Sequence, residues 1–220
     1  MKQAEHKLIL ASSSPRRREI LLAAGIPFEA VAPSVLEVQQ AGETPEQFVC
    51  RMAIEKAVAA LDQIAHRSDA PILADAPILG ADTAVVIDNH TLGKPASAGE
   101  ARAMLRLLSG KEHRVLTGLC LLAPPAAWPC PRSELRTEPQ LASTVVRFSL
   151  LTDREIDQYV SSGEPFDKAG GYAIQGLASK FIESIAGCYF NVVGLPVSLV
   201  YQMLHRFHAA NPGRRPTQPA

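Results

Sequence analysis

The sequence predicts an α/β fold with a mixed β-sheet, and two observations lead to this prediction. In the first half of the chain, short apolar runs typical of strands alternate with segments whose apolar residues recur at helical spacing. In the second half, two strand-like runs follow one another directly, so the sheet is expected to be mixed rather than purely parallel. With 220 residues, 47% of them hydrophobic, the chain can bury one sizeable core. We therefore expect one domain over residues 1–208 and a disordered tail over 209–220.

The helix boundaries follow from local capping signals. Ser14 is predicted to cap a helix over residues 15–24, whose side chains Ile20, Leu21 and Leu22 face inward. Two further helix starts carry the capping-box pattern, in which a Thr is followed three residues later by Gln or Glu. These pairs are Thr44 with Gln47 and Thr152 with Glu155. The later helices are predicted over residues 45–66, 97–108, 153–161 and 197–208.

The strands are predicted from the apolar runs that lie between these helices. They cover residues 7–11, 27–32, 78–88, 113–123, 141–150 and 181–185. The run 78–88 is almost wholly apolar, as expected for a strand that is covered on both faces. Three segments rich in turn-forming residues are predicted to be loops, namely 68–77, 124–139 and 163–176.

The charge balance argues against two classes of partner. The chain has 22 basic and 22 acidic residues, so no overall field attracts it to nucleic acid or to an anionic membrane. No apolar window approaches the roughly 18 residues of a membrane span, and the N-terminal region lacks the apolar core of a signal peptide. Four cysteines without a C-x-x-C pair favour a reduced compartment. We expect a cytoplasmic protein with no nucleic-acid or membrane partner.

One stretch after the first predicted strand is dense in hydroxyl and guanidinium groups. It reads Ser12-Ser13-Ser14-Pro15-Arg16-Arg17-Arg18 and starts a helix. Such a helix start favours phosphate, because its free N–H groups and its dipole attract anions. The alternative is ordinary helix capping followed by a solvated basic face.

Asp82 is the strongest single candidate for a functional residue. Its carboxylate lies in the apolar strand 78–88, where an unpaired charge is costly, and Gly80 leaves room for a ligand. The structural alternative is a buried Asp that caps a loop or pairs with an Arg. Lys94 lies between a glycine and a proline, so a short loop can direct its ammonium group. The segment 167–176 combines charges, glycines and an amide, although a flexible surface loop has a similar composition.

The chain thus offers both kinds of group that a polyphosphate ester with magnesium requires. Cations can hold the non-bridging oxygens, and carboxylates can hold the metal ion. The candidate cations are Arg16, Arg17, Lys56, Lys94 and Lys168, and the candidate acids are Glu37, Asp82 and Asp167. The sequence patterns of P-loop proteins, zinc proteases, serine hydrolases and dinucleotide-binding folds do not occur.

Seven short motifs occur in order over about residues 7–205. They are Ser12-Ser13-Ser14-Pro15-Arg16-Arg17, Glu55-Lys56-Ala57, Gly80-Ala81-Asp82-Thr83, Gly93-Lys94-Pro95, Asp167-Lys168-Ala169-Gly170, Ile174-Gln175-Gly176 and Asn191-Val192-Val193-Gly194-Leu195-Pro196. Each motif alone is weak, but together they resemble the Maf family of nucleoside triphosphate pyrophosphatases.

The resemblance implies an enzyme that hydrolyses a nucleoside triphosphate between its α and β phosphates. The products would be a nucleoside monophosphate and pyrophosphate, and the cofactor a divalent cation, Mg²⁺ or Mn²⁺. The implied fold is similar to that of inosine triphosphatase, an elongated mixed sheet flanked by helices with a cleft between two lobes. Family members are typically cytoplasmic and often dimeric, so a homodimer is expected.

The resemblance also implies roles for individual residues. Asp82 corresponds to the family's proton acceptor, and Glu37 resembles a metal or water ligand. Whether Asp82 acts as the base or mainly as a second metal ligand stays open. The groups expected to hold the substrate phosphates are Ser12, Ser14, Arg17, Lys56, Lys94 and Lys168.

Three positions divide the family by substrate. Arg16, Thr83 and Gln175 match the branch that acts on dTTP and UTP, whereas the branch that prefers 7-methyl-GTP tends to carry Trp, Gln and Glu. A Gln amide can also pair with the edge of uracil, while a cationic methylated purine favours an aromatic face and a carboxylate. We predict dTTP and UTP to be the substrates, together with modified pyrimidine nucleotides as a class. The alternatives are a 7-methyl-GTP or purine triphosphate pyrophosphatase, and a non-catalytic nucleotide-binding regulator of septum formation.

Overall fold

A mixed sheet of seven strands flanked by helices runs through the part of the chain that the computed structural model describes, residues 8–66, 76–124 and 130–211. The strands are β1 Leu8–Ala11, β2 Phe28–Val31, β3 Ile78–Ile87, β4 His90–Leu92, β5 Glu112–Ala123, β6 Arg136–Phe148 and β7 Ile182–Ala186. The α-helices are α1 Pro15–Ala23, α2 Pro45–Ala65, α3 Ala98–Leu108, α4 Asp153–Ser161, α5 Tyr189–Val193 and α6 Val197–Ala210. The predicted α/β class and mixed sheet are confirmed.

The central strand β3 has a gap in the pairing along one of its edges. The antiparallel strand β5 pairs along the opposite edge, over residues 78–86. On the gapped edge, the parallel strand β1 reaches only Gly80, and the antiparallel strand β4 pairs only from Val85 onward. Residues 81–84 therefore have a strand partner on one side alone. The chain leaves both β1 and β4 at this gap, and openings at strand ends are where α/β sheets bind ligands.

Two glycines let α2 lie directly on one face of the sheet. A Cβ atom on Gly80 would lie 1.9 Å from the carbonyl oxygen of Ala53, and one on Gly118 would lie 2.2 Å from that of Val49. Only glycine permits such an approach of helix backbone to strand backbone. The predicted capping boxes at the starts of α2 and α4 are both present. The short distance between α2 and β3 brings the side chains of the helix to the edge of the gap.

Separate hydrophobic clusters pack on either side of the gap. On one side, Val85 and Ile87 of β3 pack with α3, α4 and Phe148. On the other side, Ile78 packs with α2 on one face of the sheet, and Leu79 packs with α6 on the opposite face. Both regions share β3 and β5, so the predicted cleft between two lobes lies within one continuous sheet.

Helix α1 differs from the prediction in the burial of one side chain. Leu22 is 68% exposed, although it was predicted to face inward with Ile20 and Leu21. The buried side chains of α1 are Arg17, Ile20 and Leu21, which lie three and four residues apart on one helical face. Leu22 lies outside that face.

The second half of the chain also differs from the prediction at one strand. β6 begins at Arg136 and so includes the end of the segment 124–139 that was predicted to be a loop. Pro139 is tolerated in the strand because, among the described residues, this half of β6 pairs with β5 alone; β7 pairs only from Val145 onward.

Several short elements were not predicted, and some predictions cannot be compared. The strand β4 and the helix α5 were not expected, and the predicted loop 163–176 contains two short 3-10 turns. Residues 209 and 210, which were predicted to start the disordered tail, belong to α6 instead. The predictions for residue 7, for loop residues 68–75 and 125–129, and for residues 212–220 of the tail lie outside the described residues. None of the helices in the described ranges is both long enough and apolar enough to cross a membrane.

Candidate active site

A cavity of about 300 Å³ opens at the gap in β3. Its volume lies at the lower end of the range for small-molecule sites. All residues to which the sequence assigned a site role contribute to its lining, namely Ser12, Ser14, Arg16, Arg17, Glu37, Lys56, Asp82, Thr83, Lys94, Lys168 and Gln175. The structure therefore brings these residues together, while their individual roles stay predictions.

On the α2 side of the cavity, one ammonium group lies between two carboxylates. Lys56 Nζ is 2.6 Å from Asp82 Oδ1 and 2.5 Å from Glu37 Oε1. Asp82 is buried, whereas Glu37 lies on the loop between β2 and α2 and is exposed. Burial raises the pKa of Asp82, and the charges of Lys56 and Arg17 oppose this shift only in part. Burial also acts to raise the pKa of Glu37, but the hydrogen bond and charge of Lys56 outweigh it, and that pKa is lowered.

On the other side of the gap, the guanidinium of Arg17 is buried and makes four hydrogen bonds. Nε donates to the carbonyl oxygen of Gly194 at 2.9 Å. Nη1 donates to Ser12 Oγ at 3.1 Å and to the carbonyl oxygen of Ala81 at 2.8 Å. Nη2 donates to Thr83 Oγ1 at 3.0 Å. Burial lowers the pKa of Arg17, and the nearby carboxylates oppose this shift. One side chain thus links the segment after β1, the gapped edge of β3 and the turn after α5.

The hydroxyl of Thr83 is engaged by neighbouring protein groups. It accepts a hydrogen bond from Arg17, lies 2.9 Å from Thr117 Oγ1 and lies 3.3 Å from the carbonyl oxygen of Gly194. A hydroxyl has one proton to donate and two lone pairs to accept with, so these contacts use most of its capacity. Little capacity of this hydroxyl is therefore left for a direct hydrogen bond to a ligand.

The start of α1 presents free hydroxyl donors to the cavity. Ser14 is the N-cap residue, but its side chain makes no capping hydrogen bond. Ser12 Oγ accepts from the backbone N–H of Ser14 at 3.2 Å and from Arg17, which leaves its proton free to donate. Both hydroxyls lie at a helix N-terminus, where the helix dipole favours an anion. Arg16 Nη1 lies nearby, 3.5 Å from Asp167 Oδ2 on the other side of the cavity.

The opposite wall of the cavity is a well-anchored segment rather than a free loop. Glu164 accepts hydrogen bonds from the hydroxyl of Tyr159 and from the backbone N–H of Leu177, and so closes the segment into a loop. The N–H of Gly170 donates to the carbonyl oxygen of Gly93 at 2.9 Å. This bond ties the segment to the loop that carries Lys94.

The cavity has free polar groups and an excess of positive charge. Lys94 makes no hydrogen bond or ion pair with the described residues, and neither does the amide of Gln175. Lys168 donates to the carbonyl oxygen of Glu164 and pairs with Asp167. The lining contains five Lys or Arg residues and three Asp or Glu residues. A ligand with several negative charges, such as a polyphosphate, suits this composition.

A protein-family model described as "Maf-like protein" matches residues 7–207. The chain belongs to the Maf family. The resemblance drawn from the seven motifs is thereby confirmed, because the match covers nearly the same part of the chain.

Several relatives of this Maf protein are named dTTP/UTP pyrophosphatase. The protein of Symbiobacterium thermophilum is 45% identical over 204 residues, which are 91% of this chain and 94% of that one. The protein of Syntrophus aciditrophicus is 44% identical, over 90% of this chain and 88% of that one. The protein of Shigella dysenteriae is 43% identical, over 92% of this chain and 93% of that one. A solved structure, the Ham1 protein of Staphylococcus aureus, has a TM-score of 0.40 and 11% identity over 64% of this chain and 71% of that chain.

The last Maf motif contains residues that the sequence left without a role. Asn191 is buried and its Nδ2 donates to the carbonyl oxygen of Val115 at 2.9 Å and to Thr144 Oγ1 at 3.0 Å. These bonds fix α5 on the sheet, and the turn that follows presents the Gly194 carbonyl to Arg17. The signal available in the sequence was a polar Asn in an otherwise apolar motif.

The carboxylates of the Maf site can be tested for their fit to a divalent cation. Within the described ranges, no group of three or more His, Cys, Asp or Glu side chains is placed to hold a metal ion. Asp82 Oδ1 and Glu37 Oε1 nevertheless converge, since both lie within 2.6 Å of Lys56 Nζ. Mg²⁺ often takes only one or two carboxylates and completes its shell with water and substrate phosphates. Because the Lys56 ammonium occupies the point where these two oxygens converge, a magnesium ion that binds together with a nucleotide would use other lone pairs of the same two carboxylates.

Proposed function

We propose that this Maf protein hydrolyses dTTP and UTP to the nucleoside monophosphate and pyrophosphate. The observation that carries the proposal is a buried carboxylate, Asp82, in a cavity where cations outnumber acids. The choice of nucleotide is supported by relatives at 43–45% identity that are named dTTP/UTP pyrophosphatase. It is supported further by Arg16, Thr83 and Gln175, which match that branch of the family.

Asp82 is the group that we assign to activate the attacking water. Its Oδ1 accepts a hydrogen bond from Lys56, while Oδ2 accepts none from the described residues and can take a proton. The raised pKa of Asp82, which results from burial, makes the carboxylate a stronger base than an exposed Asp. The water attacks the α-phosphorus, its proton passes to Asp82, and the bond to the bridging oxygen breaks with its electrons on pyrophosphate.

The phosphate groups are assigned to the free donors of the cavity. Lys94 has an unpaired ammonium among the described residues, and Ser12 and Ser14 have free hydroxyl protons beside the α1 N-terminus. Lys168 adds a further positive charge from the opposite wall. Such groups stabilise the charge that develops on the non-bridging oxygens and on the leaving pyrophosphate.

Glu37 and Asp82 are the residues that would hold a divalent cation, Mg²⁺ or Mn²⁺. When bound, this ion supplies Lewis-acid stabilisation of the phosphate oxygens. Lys56 lies between the two carboxylates and orients both of them. Removal of its ammonium would leave two negative charges facing each other.

The nucleotide base is assigned to Gln175 and Arg16. The amide of Gln175 is exposed to the cavity and makes no hydrogen bond with the described residues. It can accept from N3–H of a uracil or thymine ring and donate to the adjacent carbonyl group. Arg16 lies close enough to the opposite wall to contact the same ligand.

A substrate panel tests the proposed function. Purified protein with Mg²⁺ should release pyrophosphate from dTTP and UTP faster than from dATP, GTP or 7-methyl-GTP. Pyrophosphate is measured as phosphate after digestion with an inorganic pyrophosphatase. Efficient cleavage of another triphosphate, with dTTP and UTP left intact, would show that the base assignment is wrong. Nucleotide binding with no cleavage at all would support the non-catalytic regulator instead.

From the family resemblance we also propose a cytoplasmic homodimer. Light scattering on the purified protein should give a mass of twice the 23.6 kDa of one chain. A measured mass equal to that of a single chain, at micromolar protein concentration, would contradict this proposal.

A further inference from the structure

We propose that Arg17 is a positioning residue that holds Asp82 in place, rather than a ligand of the substrate phosphates. This inference rests on the proposed function, because it assigns the effect of Arg17 to the base of that reaction. It changes the role that the sequence suggested for Arg17, which was to hold phosphate.

The guanidinium has little capacity left for a phosphate. Four of its N–H donors are committed to Gly194, Ser12, Ala81 and Thr83. The residue is also 7% exposed, in contrast to Lys94, which is exposed and makes no hydrogen bond or ion pair with the described residues. A phosphate that bound directly to Arg17 would have to displace bonds that the protein already makes.

The hydrogen bonds of Arg17 enclose Asp82. The carbonyl oxygen of Ala81 and the hydroxyl of Thr83 accept from Nη1 and Nη2, so the residues on both sides of Asp82 are held by one side chain. These residues lie in the gap where β1 has ended and β4 has not begun. Arg17 thus provides hydrogen bonds at an edge of β3 that lacks a strand neighbour.

Arg17 is in turn fixed by elements outside the gap. Its Nε donates to the carbonyl oxygen of Gly194, and Asn191 on the same turn-forming motif is bonded to β5 and β6. Its other bond, to Ser12 Oγ, fixes the segment that precedes α1. A planar guanidinium can make bonds in these three directions at once, whereas a lysine ammonium at the end of a flexible chain cannot.

The first experiment separates positioning from binding by comparing two positions. The experiment compares Arg17→Lys and Arg17→Met with Lys94→Arg and Lys94→Met. Turnover is measured with dTTP and Mg²⁺. Binding of inorganic pyrophosphate is measured by calorimetry. Both Arg17 variants should lower kcat about 100-fold, because the charge of Lys does not restore the geometry. Their Kd for pyrophosphate should stay within about threefold of the wild type, whereas Lys94→Met should raise it about tenfold and Lys94→Arg should not.

The opposite pattern would overturn the inference. In that pattern, Arg17→Met weakens pyrophosphate binding as much as Lys94→Met does, and Arg17→Lys restores turnover. Arg17 would then act as a charge that contacts the substrate. Wild-type protein that fails to cleave dTTP would refute the proposed function, but the pyrophosphate-binding measurement would still decide the role of Arg17.

A second variant addresses the chance that Arg17→Lys does not fold. Thr83→Val removes one acceptor of the guanidinium and keeps a β-branched side chain that suits a strand. If Arg17 and Thr83 both act by holding the strand segment around Asp82, Thr83→Val lowers kcat about tenfold in the wild-type protein. In the Arg17→Lys protein, the same substitution then lowers kcat much less. Losses that multiply in the double variant would overturn the inference. If Arg17→Lys is unfolded, unchanged kcat in Thr83→Val alone would overturn it.

Discussion

At the scale of a single residue, burial and a neighbouring cation act together on Asp82, the base of the proposed reaction. Burial raises its pKa, while Lys56 occupies only one of its oxygens. Asp82 also lines the cavity of about 300 Å³ that opens at the gap in β3. The position of Asp82 at the gap in β3 thus determines both the pKa of its carboxyl group and its access to the cavity.

We predict that Asp82→Asn lowers kcat for dTTP between about 100- and 10,000-fold, because an amide cannot take the proton of the water. The size of the side chain is unchanged, so the fold should persist. Pyrophosphate release with Mg²⁺ measures the loss, and Asp88→Asn at the exposed turn after β3 is the matched control. Activity of Asp82→Asn within tenfold of the wild type would rule out Asp82 as the main base.

His113 is a second buried titratable residue, and it is not among the residues that line the site cavity. It is 3% exposed, its Nε2 lies 2.7 Å from the hydroxyl of Tyr172, and its Nδ1 has no partner among the described residues. Burial lowers the pKa of His113 to about 4, from 6.5 for a free imidazole. Between these two values the unfolded chain binds a proton at this position and the folded chain does not.

We therefore predict that the free energy of unfolding falls as pH is lowered through this interval. The contribution of His113 is complete above pH 6.5, and lowering the pH to about 4 should remove roughly 3 kcal/mol. His113→Gln should flatten this part of the pH dependence, while His90→Gln at the exposed start of β4 should not. Urea unfolding at several pH values gives both slopes. Equal slopes in wild type and His113→Gln would contradict the prediction.

Some site residues could be recognised from the sequence and others could not. Asp82 stood out because a carboxylate in an apolar strand requires a reason, and Lys94 because of its flanking glycine and proline. The different environments of Arg16 and Arg17 were not visible, since the two residues are adjacent and chemically identical. Arg17 is buried and donates a hydrogen bond to Gly194, which lies 177 residues further along the chain.

At the scale of secondary-structure elements, the distance between α2 and the sheet determines where Lys56 lies. Gly80 and Gly118 allow the backbone of α2 to approach β3 and β5. Lys56, further along α2, thereby reaches Asp82 Oδ1 at 2.6 Å. A helix held further from the sheet would withdraw the ammonium from both carboxylates.

We predict that Gly118→Ala lowers the free energy of unfolding by about 2 kcal/mol or more and also lowers kcat, because α2 must move away from the sheet. Gly99→Ala in the first turn of α3 is the control, since the nearest atom to its added Cβ would be 3.8 Å away. That control should change stability by less than about 1 kcal/mol. Urea unfolding and dTTP turnover test both variants. A Gly118→Ala protein with normal stability and turnover would show that α2 can adjust without cost.

Elements with local signals were predicted better than elements that depend on distant partners. The capping boxes at α2 and α4 are complete within four residues, and both were found. The start of β6 was missed because Pro139 argues against a strand unless one edge is known to be unpaired. The pairing partner is β5, so the sequence around Pro139 alone could not reveal it.

At the scale of the whole molecule, the paired carboxylates have a cation of their own. Lys56 lies against both Glu37 and Asp82, so the fold does not require a metal ion to balance them. Catalysis and folding should therefore depend differently on divalent cations.

We predict that removal of divalent cations with EDTA abolishes dTTP hydrolysis. The melting temperature should stay within about 2 °C of its value with Mg²⁺ present. Excess Mg²⁺ should restore activity. Calorimetry and the pyrophosphate assay on the same sample give both quantities. A large fall in melting temperature with EDTA would mean that the metal ion has a structural role.

The gap in β3 also determines how the molecule can be divided. Enzymes with a cleft between two domains can often be separated into units that fold alone, because few contacts cross the boundary. Here β3 and β5 continue past the gap, and both hydrophobic regions are built on them. A cut that separated the two regions would break a strand in the middle of the sheet. We therefore expect the described part of the chain to unfold as one cooperative unit, with the candidate active site at the gap in its central strand, and we expect neither region to fold alone.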